Sequence, residues 1–559
     1  MAQLSRLRRL IPCLCVLALL ATACSSDSEG VETVTVGAEP VESGMPATSK
    51  PQRGGQLVYG VESETDSYCL PEAELAISGM QVARSLYDTL VVPDDEGGYA
   101  PYLAKSIDHS SDHKTWTITL REGVLFHDGT KLDASVVKKN LDAYRGQYSE
   151  YRQPLLLMFA LNNIADVTVE NELTVKVTTV EPWVAFEAAL YGSGRLGIMA
   201  EAQVEADAEA CATKPIGTGP FRFLAWRQGQ YLKVTRNTNY WHDAPDGKPY
   251  PYLNAIEFRP ITSANARISA LNRGEINMLH TSSISDMDGT LRILRDSGDI
   301  NLLVSQERTE SEYLMVNVRR PLLAEVETRR AIAQALDREA LNEIGNAGFA
   351  TIADGPFAPK VMGYVEDAGF PAFDPEAAKK TVAAISPGTK PQLELMSSSS
   401  PDDIVNAIQM REMLEDVGFD VTLDVEMEVD LIERTIAGEY DLVLFRNQPG
   451  EDPDQNMIWW ASASDNPVNF GGWSDAVIDE NLAIGRHTAD PEIRRKAYET
   501  INRRFAEQLY NVYLWYTPWA IAEAPNVHGI LGSTLPDGSA PAKRIVTSHP
   551  LTGIWIDRS

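Results

Sequence analysis

TWTITLREGVLFHDGTKLDA, residues Thr115–Ala134, holds in one short stretch the pattern that the rest of the chain repeats. Trp116-Thr117-Ile118-Thr119-Leu120 alternates apolar and polar groups with the period of a half-buried strand. Gly123 and Gly129 suit tight turns, the second inside His127-Asp128-Gly129-Thr130, and Phe126 between them is expected in the core. Asp133 then stands where a helix N-cap belongs, ahead of Val136, Val137, Leu141 and Tyr144 at helical spacing. His127 has no second histidine at ligand spacing, so a structural role fits it better than a metal.

The same mixture extends in both directions. Upstream, Gln56-Leu57-Val58-Tyr59-Gly60 reads as a strand after Gly54-Gly55. A helix follows around Glu72–Tyr87, with Ala76, Met80, Ala83 and Tyr87 in register. Downstream, strands are expected at Tyr231–Arg236 and Ala255–Pro260. A helix over Glu325–Leu341 places Ile332, Leu336 and Ala340 on one stripe with Arg329, Arg330 and Arg338 outward. Another helix near Asp402–Val417 precedes a strand at Val421–Val425, and the apolar strand Asp441–Phe445 feeds a polar loop, Arg446–Asp454. Strands alternating with helices indicate α/β lobes, and 559 residues is several times one compact domain. No repeat of 20 to 50 residues suggests a solenoid or propeller.

Arg6, Arg8 and Arg9, an apolar run from Leu10 to Leu20 and the small residues Ala21-Thr22-Ala23 form a secretory leader, too short to span a bilayer. Cys24 directly after them is similar to the lipoprotein box of bacteria, in which the thiol is acylated and becomes the first residue. Ala21 stands where Leu is usual, with Leu20 one place earlier. Each buried methylene contributes about 0.8 kcal/mol, so a multi-chain anchor is effectively permanent. An incidental cysteine in an ordinary secreted protein is the alternative. Residues 25–52, rich in Ser, Glu, Thr, Pro and Gly, bury too little to order themselves and read as a flexible tether.

Formal charge is −30, or −33 once residues 1–23, with three arginines and no acid, are set aside. Phosphate backbones and anionic headgroups repel such a body, which excludes nucleic acid as a partner. Of five cysteines Cys13 and Cys15 leave with the leader and Cys24 is taken by lipid, so Cys69 and Cys211 remain as an even pair in an oxidising compartment. They are expected to form a disulfide, whose long loop is worth about 5 kcal/mol in the chain-entropy model. Two isolated buried thiols are the alternative.

Catalytic motifs are missing. Gly192-Ser193-Gly194 is no nucleophile elbow, no histidine pair suits zinc, and Gly217-Thr218-Gly219-Pro220 lacks the Lys-Ser/Thr of a phosphate loop, so it reads as a tight turn before a strand at Phe221–Leu224. With 79 acidic residues a carboxylate pair in some cleft is inevitable, so a hydrolase stays open as an alternative. Binding chemistry is better placed. The loop after Asp441–Phe445 carries Asn447, Gln448 and Asp452 at the carboxyl end of a strand, where ligands of open α/β sheets sit. Trp459 and Trp460 just beyond are flat covers for a ligand, or equally core packing. Glu62, after the first strand, is a further acid for the cleft, or a solvated loop charge.

Several separated blocks stand in one order: SLYDTLV at Ser85–Val91, PYLAKS at Pro101–Ser106, the opening stretch at Thr115–Ala134, KPIGTGPFRF at Lys214–Phe223, LNRGEINML at Leu271–Leu279, RRAIAQALDRE at Arg329–Glu339 and Asp-Pro-Asp at Asp452–Asp454. Together they resemble the family-5 extracellular solute-binding proteins of ABC importers, the group of oligopeptide and dipeptide receptors, from about Gly54 to the chain end. The resemblance implies a two-lobe α/β periplasmic-binding-protein fold, type II in its large three-subdomain variant, with a hinge and an interlobe ligand cleft. It implies lobe I at residues 53–284 with a subdomain at about 80–210, lobe II at 285–513, and a return to lobe I at 514–559. The crossings then fall near Leu279–Ser285 and Tyr513–Thr517, where Tyr513, Trp515, Tyr516 and Trp519 cluster. Tyr516 and Trp519 join the expected ligand contacts, although alternation in Val512, Leu514 and Tyr516 fits a plain buried strand as well.

The function so implied is a lipid-anchored, extracytoplasmic, monomeric receptor that passes a small molecule or short peptide to ABC permease subunits, without cofactor, metal or catalysis. A surface-tethered hydrolase and a transporter-independent sensory lipoprotein are the alternatives. Peptide receptors of this family hold the ligand ammonium with an aspartate three residues before the Asp-Pro-Asp, and here that place is Pro449. Either Glu451 or Asp452 takes over, or the ligand lacks a free amino terminus.

Overall fold

The structure, a computed structural model, describes residues 50–73, 75–154, 156–447, 450, 452–464, 466–542 and 551–558. The leader, Cys24, almost all of the tether, Gln448, Pro449 and Glu451 lie outside the described residues.

The opening stretch folds as its pattern dictates. Thr115–Leu120 is an inner strand of a four-stranded antiparallel sheet, between Ala104–His109 and Thr174–Thr179, with Ile164–Asn171 at the far edge. Trp116, Ile118 and Leu120 point into the core. Asp133 caps helix Ala134–Tyr144, its Oδ1 accepting the Val136 amide at 3.0 Å. His127 is buried as a neutral ring: Nε2 lies 3.0 Å from the Gly219 carbonyl and Nδ1 accepts the Gly217 amide at 3.3 Å. Burial pushes its pKa down to about 4. Gly219 stands where a Cβ would come within 2.4 Å of the Leu86 carbonyl carbon, so the glycine-rich turn docks on the end of helix Ile77–Leu86. Cys69 and Cys211 are disulfide-bonded beside that helix.

An eleven-stranded mixed sheet runs through the rest. In its near half, Gln56–Val61 lies parallel to both Ala255–Pro260 and Met278–Thr281, and the hairpin of Phe221–Arg227 and Tyr231–Arg236 extends the outer edge. In its far half, Gln392–Ser398 lies parallel to Asp420–Glu426 and Leu442–Asn447. Two long antiparallel strands, Asn301–Val316 and Asn511–Glu523, belong to both halves. Their near ends pair at Asn301–Ser305 with Trp519–Glu523, beside Met278–Thr281; their far ends pair at Glu310–Met315 with Asn511–Thr517, beside Leu442–Asn447. The register slips between Ser305 and Glu310, so the ladder is interrupted where the halves meet. Every residue of Asn511–Glu523 is buried, so both of its faces are covered and no polar face alternates.

Three details depart from the sequence pattern. The helix expected over Glu325–Leu341 is two helices, Val326–Ala335 and Arg338–Asn346, because Asp337 takes the Ala340 amide (3.0 Å) and starts a new one. Arg329 turns inward and donates to the carbonyls of Leu323 (2.9 Å), Ala324 (2.8 Å) and Gln508 (2.8 Å), closing a helix end, while Arg338 pairs with Asp354 at 3.1 Å. Helix Ile77–Leu86 starts five residues late, since Glu72 and Ala73 give their amides to the Cys69 carbonyl (2.9 Å each) in a separate turn.

Candidate functional site

A cavity of about 1490 Å³ opens between the halves of the large sheet. Its near wall comes from the segments after Gln56–Val61 and Met278–Thr281, its far wall from the ends of Gln392–Ser398 and Leu442–Asn447. Its floor comes from the two long strands and its mouth from the segment after the four-stranded sheet. Ligand space thus lies beyond the carboxyl ends of parallel strands, where strand order reverses and the backbone leaves room.

On the near wall the Glu62 carboxylate accepts from Arg267 Nη2 (2.7 Å) and the Ser282 amide (3.0 Å). Arg267 is itself held by the carbonyls of Ile261 (2.7 Å) and Thr262 (2.9 Å). Burial works to raise the Glu62 pKa, but the charges of Arg267, His280 and Arg446 outweigh it and hold the group below its usual range. Glu62 is therefore already paired.

The floor carries two glutamates of strand Asn301–Val316 on one face, two residues apart as the strand period requires. Glu310 Oε2 accepts Trp519 Nε1 at 2.9 Å. Glu312 sits between Arg446 on one neighbouring strand and Trp515 on the other. Its Oε2 accepts Trp515 Nε1 (3.1 Å) and the Thr517 hydroxyl (3.3 Å), and among the described residues its Oε1 has no hydrogen-bond partner. Burial, then the charge of Asp403, pushes Glu312 up to about 8 against the opposing pull of Arg446 and the two hydrogen bonds. Arg446 reaches across to the near wall, donating to Ser282 Oγ at 2.9 Å. Burial tends to lower its pKa, but Glu310, Asp403, Glu312 and Glu62 surround it and keep it charged.

At the mouth, Asp454 accepts from Arg486 Nε (2.9 Å) and Nη2 (3.0 Å) and from Trp183 Nε1 (2.7 Å). The Val184 amide meets the Arg486 carbonyl at 3.0 Å, and Gln455 Nε2 meets the Ala188 carbonyl at 2.8 Å. These contacts tie the segment after the four-stranded sheet to the far half.

Of the residues that sequence reasoning chose, Glu62, Asn447, Trp459 and Trp519 line the cavity; Asp452, Trp460 and Tyr516 do not, and Gln448 lies outside the described residues. Asp452 is engaged by Arg494 Nη2 (2.7 and 2.9 Å) and caps the following turn through the Asp454 amide (2.9 Å). Trp460 packs edge-on against Phe357 and Phe505, and Tyr516 against Tyr364. Asn447 Nδ2 donates to Asn456 Oδ1 (3.2 Å), and Trp459 stands edge-on to Phe470. Sequence reasoning missed Arg267, Glu310, Glu312, Asp403 and Arg446 as cavity residues. One local signal was present: two glutamates at i and i+2 directly before the apolar run Tyr313–Val316. Among the described residues no group of three or more His, Cys, Asp and Glu is placed to hold a metal ion, and no helix is long and apolar enough to cross a membrane.

Residues 98–468 match the bacterial extracellular solute-binding proteins, family 5 (middle region). The chain is 28% identical over 428 residues to the glutathione-binding protein GsiB of Pectobacterium atrosepticum, covering 75% of this chain and 80% of that protein. It is 25% identical over 551 residues to the oligopeptide-binding protein AppA of Bacillus subtilis, covering 92% and 94%. Among solved structures it is similar to the ABC transporter-associated periplasmic binding protein DppA of Helicobacter pylori in complex with the peptide STSA. There the TM-score is 0.79 at 21% identity, over 91% of this chain and 99% of that one.

Proposed function

The chain belongs to the bacterial extracellular solute-binding proteins of family 5, and on that premise we propose that it is the lipid-anchored receptor of an ABC importer. It encloses a small peptide-like or other polar solute between its lobes and presents it, chemically unchanged, to permease subunits. The observation that carries this reading is a cavity whose walls come from both halves of one sheet and whose floor is the pair of strands joining them. A solute touching both walls favours the closed form by its contacts with each, and a permease that distinguishes closed from open reads the difference. Relatives named for glutathione and oligopeptides support a peptide-like cargo.

Within the proposal, Asn447, Trp459 and Trp519 contact the solute, with Glu62 fixed behind them by Arg267. The passage into the far lobe is taken to run from near residue 285 along Asn301–Val316, a reading supported by Ile284 in the core of the far half and by Met287 and Leu291 beside Ile268 and Ala520 of the near half. Anchoring through Cys24 rests on the arginine-rich start and the Ala-Thr-Ala-Cys junction. The protein acts as a monomer.

Native mass spectrometry of the protein as purified is expected to show one retained small solute. Solution scattering is expected to show a smaller radius of gyration when a solute-stripped sample is resaturated. A sample that retains nothing and stays the same size with every peptide offered overturns the receptor reading, and turnover of those peptides favours the hydrolase.

A further inference from the structure

We propose that the solute carries a cationic group, an ammonium or guanidinium, and that Glu312, with Glu310 beside it, receives that group at the floor of the cavity. The inference deepens the receptor reading and rests on it.

Three observations lead there. First, among the described residues the cavity lining holds ten acidic residues against four arginines and no lysine or histidine, so its field favours cations and repels polyanions. Second, the carboxylates of Glu62, Glu310, Glu312 and Asp403 all act on Arg446, while the other three guanidiniums have partners of their own: Arg267 is engaged by Glu62, Arg486 by Asp454, and Arg195 donates to the Leu75 carbonyl. Third, Glu312 is only 5% exposed, lines the cavity, and leaves Oε1 without a hydrogen-bond partner among the described residues. A buried carboxylate oxygen left unmatched is costly, and nearly all such atoms are satisfied by something. An N–H cation supplies both the charge and the donor that the chain withholds. The aromatic faces of Trp519 and Trp459 in the same cavity suit the less polar parts of such a solute, and a cation as well.

The groups that face Glu312 set its response to pH. They are Arg446 on strand Leu442–Asn447, Asp403 in the first turn of helix Pro401–Asp416, Glu310 on its own strand, and the neutral donors Trp515 and Thr517. Free of solute, Glu312 keeps its proton near neutral pH because its pKa is pushed up to about 8. An arriving cation stabilises the carboxylate, so the carboxyl proton leaves to solvent as the ion pair forms. Affinity should therefore rise with pH toward about 8 and level off above it, by at most tenfold per pH unit.

The test uses four peptides in two matched pairs: N-acetyl-Ala-Lys-Ala against its norleucine analogue, and N-acetyl-Ala-Arg-Ala against its citrulline analogue. Calorimetry on solute-stripped protein is expected to show the cationic member binding about tenfold tighter or better in each pair. Proton release should appear as a buffer-dependent heat, and Glu312→Gln should bring both ratios toward one. Thermal melting confirms that the variant is folded; if it is not, the buffer-dependent heat of the unaltered protein decides. Equal binding within both pairs, or a retained solute that carries no cationic group, overturns this inference and leaves the receptor standing. No binding of any of the four, together with no retained solute, overturns both.

Discussion

Asp454 and Glu312 border one cavity, both almost fully buried, yet their surroundings differ in kind. Asp454 accepts three N–H donors, two from Arg486 and one from Trp183, so its charge and its lone pairs are met inside the chain. Among the described residues Glu312 accepts two neutral donors on one oxygen and none on the other, with a second carboxylate, Asp403, raising its pKa further. A buried carboxylate matched by its own guanidinium closes structure upon itself. One left short of charge and donors keeps a place for something that arrives later. The mouth is built to hold the far half against the segment carrying Trp183; the floor is built to be completed.

The strongest way to break this contrast is Asp454→Ala. It strands the Arg486 guanidinium under Trp183, and breaking a buried pair from one side costs about 3–5 kcal/mol. Urea unfolding measures that loss; a cost below about 1 kcal/mol would mean that the pair at the mouth holds nothing together.

Glu312→Gln should do the opposite at neutral pH. A carboxyl whose pKa is raised by burial to about 8, from an unfolded value near 4.3, contributes stability that is full below about 4.3 and lost as pH rises to about 8. Between pH 5 and pH 8 the glutamine variant should therefore gain melting temperature relative to the solute-free parent as the pH rises. Parallel slopes would remove Glu312 from the account. Asp88 and Glu187, both pushed to about 6 by burial, act in the same sense in the lower part of that window, and His127, His242 and His280, pushed down to about 4 by burial, act in the opposite sense up to about 6.5, so only the difference between the two slopes counts.

Smaller again is Glu310→Gln. It keeps an acceptor for Trp519 Nε1 and removes one charge from the floor, so stability should change by about 1 kcal/mol or less while the preference for cationic peptides weakens. The mildest probe is acetylation of the amino terminus of a lysine-containing tripeptide. With Pro449 at the place of the family's ammonium-binding aspartate, calorimetry should show little loss on acetylation, because the side-chain ammonium still reaches the floor. Abolished binding would instead mean that the solute is held by its amino terminus and would overturn the inference from Pro449.

Much of the frame was legible residue by residue. Trp116, Ile118 and Leu120 alternate because one face of their sheet is buried, and Asp133 precedes a helix because its side chain satisfies a free amide. The pairing of Cys69 with Cys211 followed from their being the only cysteines left beyond residue 24. Arg329, Leu336 and Asp337 misled, since a helical stripe continues across a break that one capping aspartate imposes. The site was harder to read. Asp452 looked like a ligand group because it follows a strand end, but Arg494, forty-two residues away in sequence, takes it. Glu312 carried almost no local sign, and its neighbours Arg446, Asp403 and Trp515 come from three separate segments.

By itself, the sequence determined the α/β alternation, the order of blocks shared with a receptor family, the negative body and the disulfide. Each of these depends on near neighbours, on total composition or on a count. Only the tertiary structure decided which of 79 acidic side chains stay paired and which face a cavity. A carboxylate's charge and partners are set by burial and by groups a few ångströms away, and those groups meet only when strands distant in sequence lie side by side.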